Sequence, residues 1–481
     1  MRALRPRLTA PDLALAGVGA ALTLAAAYAS VRMGAEIGLG ALLVVAVFVG
    51  SVVGFMTAPH VAVSGTIVLF ALIPALKVFA GDAVGSVKDV VVVAAASAAV
   101  LLFVFAGRRP DRMLLTLVGL LLGLYVINAG GGHGIAWAQT VRLVGEPLGL
   151  LLVGLTLPEP RRTLRWAMWT LVACASFAAA YGILQQQVGK WTLIDWGYTF
   201  EDQVRTIDGR LRSFGTFDDP FAYAAFLLFG VSALMFYMRR GVVVWSAGAL
   251  ILVGLSFSYV RTAALVLVAL GALLLARRGY LPSAALTMAA TAVVGVLVLA
   301  DSGGSEAKTY PVRSRHGNLT RTDQSSSLVL NGRISAWQAA LGDDPREWVF
   351  GRGVGKVGTG ADRARYNFAP PKDAADGGVT AQAVDSGYFA AVADVGVVGL
   401  AVLLLLFARL FVLGARARSR DSDAGWVALA LLVCLLIDAL TRASLTGFPT
   451  AFLGLFLIGI ALAAAHEEDP SPDAATARLA S

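Results

Sequence analysis

Residues 386–414 read SGYFAAVADVGVVGLAVLLLLFARLFVLG. As one helix, these about 29 residues would be about 43 Å long, against a hydrocarbon core of about 30 Å. The helix therefore spans a bilayer, and its first turns stand clear of the lipid on the side of the preceding segment. That segment, 301–385, is the one long polar interval in an apolar chain and ends on Val384-Asp385. Asp385 is expected at the N-cap of the helix, at the mouth of whatever site the loop covers.

The rest of the chain supports a membrane setting. Of 481 residues, 57% are apolar and 15% charged, and the mean hydropathy is +0.74. This composition excludes a string of soluble domains. The formal charge of +8 is carried by short basic clusters between apolar runs, so it reports topology rather than nucleic-acid binding. Cys174 and Cys434, the only cysteines, both fall in apolar segments, and neither a disulfide framework nor a metal site follows from them. Four scattered histidines argue against a His-ligated metal. Arginine in excess of lysine, with abundant Ala, Val and Gly, is typical of GC-rich bacterial genomes.

Spans are expected at 12–30, 37–57, 61–80, 89–107, 113–130, 141–157, 166–187, 220–238, 241–259, 262–276, 282–300, 386–414, 424–441 and 446–465. The expected fold is thus an all-α polytopic membrane protein of about 12–14 transmembrane helices with one large extracytoplasmic loop. Its parts are N-terminal helices (1–160), a core with outward arginine motifs (161–300), the loop (301–385), C-terminal helices (386–465) and a disordered cytoplasmic tail (466–481). With alternating spans, the clusters at Arg2/Arg5/Arg7, Arg108/Arg109/Arg112, Arg161/Arg162/Arg165, Arg239/Arg240, Arg277/Arg278 and Arg416/Arg418/Arg420 share one face. That face is cytoplasmic. The 188–219 segment, the loop and the turn at Arg442 are then outside. The first span ends in Ala27-Tyr28-Ala29, which resembles a signal-peptidase site, and Arg142, Glu146 and Pro147 suggest that the span at 141–157 is re-entrant or tilted.

Residues 241–276 have arginine pairs at both ends, and as one helix they would measure about 54 Å, too long for a single crossing. The segment goes out and returns. Its apex is Ser258-Tyr259-Val260-Arg261-Thr262, which leaves Arg261 within the membrane level, where an arginine faces a cavity, a partner or the headgroups. A second outward cluster, Asp208 to Pro220, holds Arg210 and Arg212, then Gly215, expected to let the backbone approach a ligand. Asp219-Pro220 supplies a cap and a first-turn proline for the next helix.

In the loop, Asn331 to Leu341 reads as a short amphipathic helix carrying Arg333 and Trp337. Gly353, Gly355 and Gly358 form GxGxxG without the βαβ context that a dinucleotide site requires. The loop has 11 Lys/Arg against 10 Asp/Glu, so it is no polyanion patch.

In order, these features resemble the O-antigen ligase/polymerase superfamily. The motifs are Arg-x-x-Gly-x-Phe-x-x-Pro (Arg212 to Pro220), Ser-x-x-Arg-Thr (Ser258 to Thr262), Arg-x-x-x-Trp (Arg333, Trp337), a Gly-x-Gly stretch, and a polar-x-x-Tyr end (Asp385 to Tyr388) leading to Gly396 to Leu400. The resemblance covers residues 165–460. It implies a metal-independent glycosyltransferase without a cofactor, in the bacterial cytoplasmic membrane with its active site outside. Its donor would be an undecaprenyl-diphosphate-linked glycan and its acceptor a glycan or envelope molecule, with membrane lipids around it. Carried over, Arg212 and Arg261 are the diphosphate clamp and Asp385 activates the acceptor hydroxyl. Arg210, Arg333, Trp337, Tyr388 and Arg442 form the substrate-binding set. Guanidinium suits such a clamp because it stays charged and donates in pairs. Asp385 departs from the histidine of many members, and Asp219-Pro220-Phe221 departs from Asn-Pro-Asn. A transporter or flippase for a lipid-linked glycan is the alternative; it predicts repeats and spans broken near the midplane. A cell-shape peptidoglycan polymerase shares the carrier but has fewer spans.

Overall fold

A computed structural model describes residues 35–81, 84–105, 110–129, 134–199, 203–207, 209–238, 241–280, 282–283, 286–287, 309–314, 317–322, 345–356, 386–419 and 422–467. The described residues are overwhelmingly helical. In chain order the helices are α1 (Ala35–Thr57), α2 (Pro59–Ala80), α3 (Gly85–Phe105), α4 (Arg112–Ile127), α5 (Ile135–Thr156), α6 (Pro160–Asp195) and α7 (Pro220–Phe236). There follow α8 (Val242–Ser256), α9 (Arg261–Arg277), α10 (Pro345–Phe350), α11 (Gly387–Ala417), α12 (Ser422–Asp438) and α13 (Thr450–His466). Twelve of these match expected spans. The expected spans at 12–30 and 282–300, the helix at 331–341 and the tail beyond residue 467 lie outside the described residues, apart from fragments at 282–283 and 286–287.

Five helices, α2, α3, α5, α6 and α11, are long and apolar enough to cross a membrane, consistent with a membrane-embedded chain. Where each helix sits follows from its surface. On α13 every residue but Ala463 and His466 is buried, as expected for a helix apolar all round. It packs against α5, α6 and α12. Against α5 the backbones approach closely: a Cβ on Gly154 would lie 2.5 Å from the Phe456 carbonyl oxygen, and one on Gly459 would lie 2.4 Å from that of Leu151. Small residues at the contact allow this, as in membrane helix pairs generally. By contrast α8 buries only Ile251, Gly254 and Leu255, which leaves it at the periphery.

Two expectations need correction. The 386–414 run is not one straight helix, because α11 breaks at Gly396 (φ 69, ψ −173). A Cβ there would lie 2.1 Å from the carbonyl oxygen of Val349, so only glycine admits the α10 segment this closely. Second, α5 is a continuous 22-residue helix through Pro147, not a re-entrant turn. Its polar start is accommodated by charge pairing. Arg142 contacts Asp89 and places Nε 2.7 Å from Glu146, while Lys88 contacts Asp89 and lies 5.3 Å from the centre of the Phe448 ring. Ionisable groups within spans are expected to be paired in this way. The helical architecture expected of the chain holds among the described residues, with two short hairpins beside it, β1 (Arg205–Ile207) with β2 (Arg210–Arg212) and β3 (Thr309–Ser314) with β4 (Gly317–Thr322). In the sequence, Asp208-Gly209 between β1 and β2 is a strong two-residue hairpin signal, and Gly209 has φ 75.

Asp111 caps α4 by accepting from the Leu114 N–H, and Arg409 of α11 holds it with two bonds of 3.0 and 2.6 Å. Those bonds first, and the Leu114 N–H, keep its carboxyl below the usual range. This pair ties α11 to α4 at the end opposite α10.

Candidate functional site

Arg205, Arg210 and Arg212 lie in the hairpin between α6 and α7, and Arg261 opens α9. Leu211 is buried beside Leu193, Tyr198, Val204 and Phe214, which turns the opposite face of the β1–β2 hairpin away from this small core. That opposite face is basic. The register pairs Arg205 with Arg212 and Ile207 with Arg210, and directly opposed residues share a face. Arg205 was not legible as a site residue from the sequence, since its register is set by the hairpin.

Two glutamines of α6 hold the strand exit. Gln185, fully buried, accepts from the N–H groups of Phe214 (3.1 Å) and Gly215 (2.9 Å) and donates to the Gly215 carbonyl (2.9 Å). Gln186 donates to the Leu211 carbonyl (3.0 Å) and to Ser213 Oγ (2.7 Å). Neither was singled out in the sequence, where they read as the polar end of a span. The role expected for Gly215 is corrected: its φ is 55, and a Cβ would lie 2.5 Å from the ring of Tyr223. The glycine makes room for a buried tyrosine, not for a ligand.

The hairpin is stitched to the α8–α9 turn. The Ser213 N–H donates to the Phe257 carbonyl (2.9 Å), and Arg212 Nε donates to the Ser258 carbonyl (3.1 Å). The Arg212 guanidinium also stacks 4.6 Å from the Phe221 ring centre. Arg261, the first residue of α9, is exposed and makes no ion pair among the described residues. Arg210 is exposed as well.

The α12–α13 turn closes the group from the other side. Arg442 Nη2 is 2.7 Å from Asp219 Oδ2, while Asp219 Oδ1 caps α7 by accepting from Phe221 and Ala222 (2.8 Å each). Burial acts against the Asp219 charge, but Arg442, Arg205 and the two cap N–H groups outweigh it and hold the carboxyl below its usual range. A carboxyl depressed in the fold contributes stability above its unfolded value, about 3.9, and loses it as pH falls through the folded value. The melting temperature of the protein should therefore drop as pH is lowered below about 4, and Asp219→Asn should lower it at neutral pH while flattening that acid limb. An unchanged limb in a thermal-melt series would contradict this.

Thr441 Oγ1 lies 3.3 Å from Thr262 Oγ1, and the Gly387 N–H donates to the carbonyls of both Ala439 and Arg442 (2.9 Å each). The start of α11 is thus fixed against the same turn. Tyr388 is half-buried and its hydroxyl donates to the Leu436 carbonyl (2.9 Å). The expected N-cap moves by one residue: it is Ser386, whose hydroxyl turns to the Ala439 carbonyl (3.2 Å) and does not cap. Asp385, Arg333 and Trp337 lie outside the described residues.

No protein-family model matches the chain, and no curated protein matches it. The site has to be judged by its chemistry. Arg205 lies opposite Arg212 in the hairpin, Arg212 bonds the turn that precedes Arg261, and Arg205 and Arg442 both act on Asp219. Among the described residues no group of three or more His, Cys, Asp or Glu could hold a metal ion.

The α10 segment docks on the break in α11. Arg352 N–H donates to the Ala393 carbonyl and Val354 N–H to the Asn128 carbonyl, both at 2.8 Å. Asn128 Nδ2 bridges the carbonyls of Phe350 (2.6 Å) and Asp394 (2.7 Å). Backbone groups freed by the break are so satisfied by the loop and by the end of α4, as irregular backbone at membrane depth requires.

Proposed function

We propose that the chain is a membrane glycosyltransferase that transfers or polymerises a glycan carried on undecaprenyl diphosphate, working at the end of the bundle where α10 docks. One observation supports this above the rest: the hairpin register sets Arg205 opposite Arg212 on one face, stitched to the turn that opens on Arg261. Like charges directly opposed across strands are destabilising. Asp219 offsets part of that cost for Arg205, and a diphosphate leaving group would offer further paired acceptors to planar guanidinium donors. Such donors stabilise the charge that develops on the diphosphate as the glycosidic bond to it breaks. The acceptor hydroxyl must lose its proton; Asp385, next to the start of α11, is the proposed base. Asp385→Asn should then lower the rate by about 100-fold or more with the melting temperature retained, whereas loss of stability at full specific activity would leave it a structural residue.

The binding half of this proposal is tested without turnover. A polyprenyl diphosphate should raise the melting temperature of the protein in nanodiscs more than the monophosphate does, and Arg212→Ala should remove the difference. Equal responses to the two lipids would overturn the clamp.

A transporter of the same lipid-linked glycan is the second reading, and the break in α11 beside the buried Asp394 is the feature that favours it. It predicts movement of the labelled lipid across proteoliposomes without any change in glycan length.

A further inference from the structure

The exposed face of α6 is apolar along its middle and aromatic at both ends. Between Trp169 and Gln187 its exposed residues are Ala173, Phe177, Ala180 and Leu184, at the spacing of one helix face. Trp166 and Trp169, each 50% exposed, close this face on the side of Arg161, Arg162 and Arg165. At helical rise, Trp169 and Gly189 stand about 30 Å apart, the thickness of a hydrocarbon core, and α6 breaks at Gly189 (φ 77, ψ 168). Just past the break come Lys190 and Trp191, the ammonium 5.2 Å from the centre of the ring, with Trp191 53% exposed.

An apolar face of that length, closed at each end by tryptophan with a cation beside it, matches a bilayer. Tryptophan favours the headgroup level, where its ring meets hydrocarbon and its N–H meets water, and lysine reaches the same level with its stem along apolar surface. A second copy of the chain on this face would bury the tryptophans without drawing them to two levels a membrane thickness apart. The turn after the break carries the boundary to the arginine hairpin. Leu193 enters the small core with Tyr198, Val204, Leu211 and Phe214, while Trp191 and Trp196 stay exposed. Phe79, near the end of α2, is exposed as well; its ring centre lies 6.1 Å from that of Tyr198, which lies 5.0 Å from that of Phe214. The strand exit after Arg212 therefore rests on this aromatic rim through two ring contacts.

We infer that Phe79, Trp191 and Trp196 form a docking surface for the phospholipid headgroups of one leaflet, which holds the β1–β2 hairpin at the level of the lipid phosphates. The surface itself does not depend on glycan transfer. Its consequence rests on the proposed function: a lipid-borne diphosphate would reach Arg212 by lateral movement within the leaflet, not from the water.

The test is depth-dependent quenching of tryptophan emission. The full chain is placed in phosphatidylcholine vesicles whose acyl chains carry bromines either close to the headgroup or close to the chain end, with no glycan present. The emission lost in Trp191→Phe isolates Trp191 in each vesicle, and Trp196→Phe does the same for Trp196. Both contributions should be quenched more by the shallow bromines than by the deep ones, whereas that of the buried Trp426, isolated by Trp426→Phe, should respond little to either. If one rim variant does not fold, the other reads the same rim. Emission from Trp191 and Trp196 that neither bromine position quenches would overturn the surface, since the rings would then face water or a second copy. Stronger quenching by the deep bromines would overturn it as well, by placing the rim inside the hydrocarbon. Because no glycan takes part, either failure leaves the proposed transfer to be judged by its own assay.

Discussion

Arg261→Ala is expected to remove transfer activity while leaving the folded protein intact. The side chain is exposed at the first position of α9 and makes no ion pair among the described residues, so its truncation leaves no buried partner stranded. Exposed substitutions of that kind change stability by about 0.5 kcal/mol or less. The proposed function asks much more of it in the reaction. Each charge-assisted bond to the diphosphate is worth about 1.5–3 kcal/mol, or about 10- to 150-fold in rate if it forms fully only as the leaving group departs. Arg261→Lys should recover part of that, because the charge returns without the paired donors. The comparison to make is turnover against melting temperature in the same preparation. Full turnover in Arg261→Ala would take the residue out of the clamp.

Gly396→Ala is expected to have the largest effect on the fold. The residue needs φ 69, which costs a non-glycine side chain about 1–3 kcal/mol. The added methyl would also meet the Val349 carbonyl at 2.1 Å and the Phe350 nitrogen at 2.5 Å. Since these are backbone atoms, the α10 segment itself has to move. The bonds from Arg352 to Ala393 and from Asn128 to Phe350 would lengthen together, for a total of about 3 kcal/mol or more. A lowered melting temperature and faster proteolysis around residues 345–356 should accompany each other. A variant with wild-type melting and protection would show that α10 is not held at the break.

Much of the architecture was legible because hydrophobic length is a strong signal. The there-and-back path of residues 241–276 followed from helix rise alone, and α8 and α9 turn where Ser258 to Thr262 had been marked. Asp219-Pro220 likewise predicted both the cap and the start of α7, and both are found. What escaped notice depends on contacts between distant stretches. Gly396 stood out only as the start of the Gly396 to Leu400 motif, and its break is required only once Val349 presses on it. Arg205 acquires its place from pairing with Arg212, although Asp208-Gly209 advertised the turn that sets the register. Gln185 and Gln186 gave no motif; their role comes from facing a strand exit that needs donors and acceptors. Arg442 was expected to meet substrate, and its first partner is Asp219, a pairing across the fold that local sequence does not encode.

The most direct test of the proposed activity is a reaction with the purified protein in nanodiscs and a host undecaprenyl-diphosphate oligosaccharide, first alone and then with an envelope extract as acceptor. The account predicts release of free undecaprenyl diphosphate, with a ladder of lengthened glycans in the first case for a polymerase or a glycan-acceptor conjugate in the second for a ligase. Intact lipid-linked donor under both conditions, from protein that is folded by thermal melt, would contradict it.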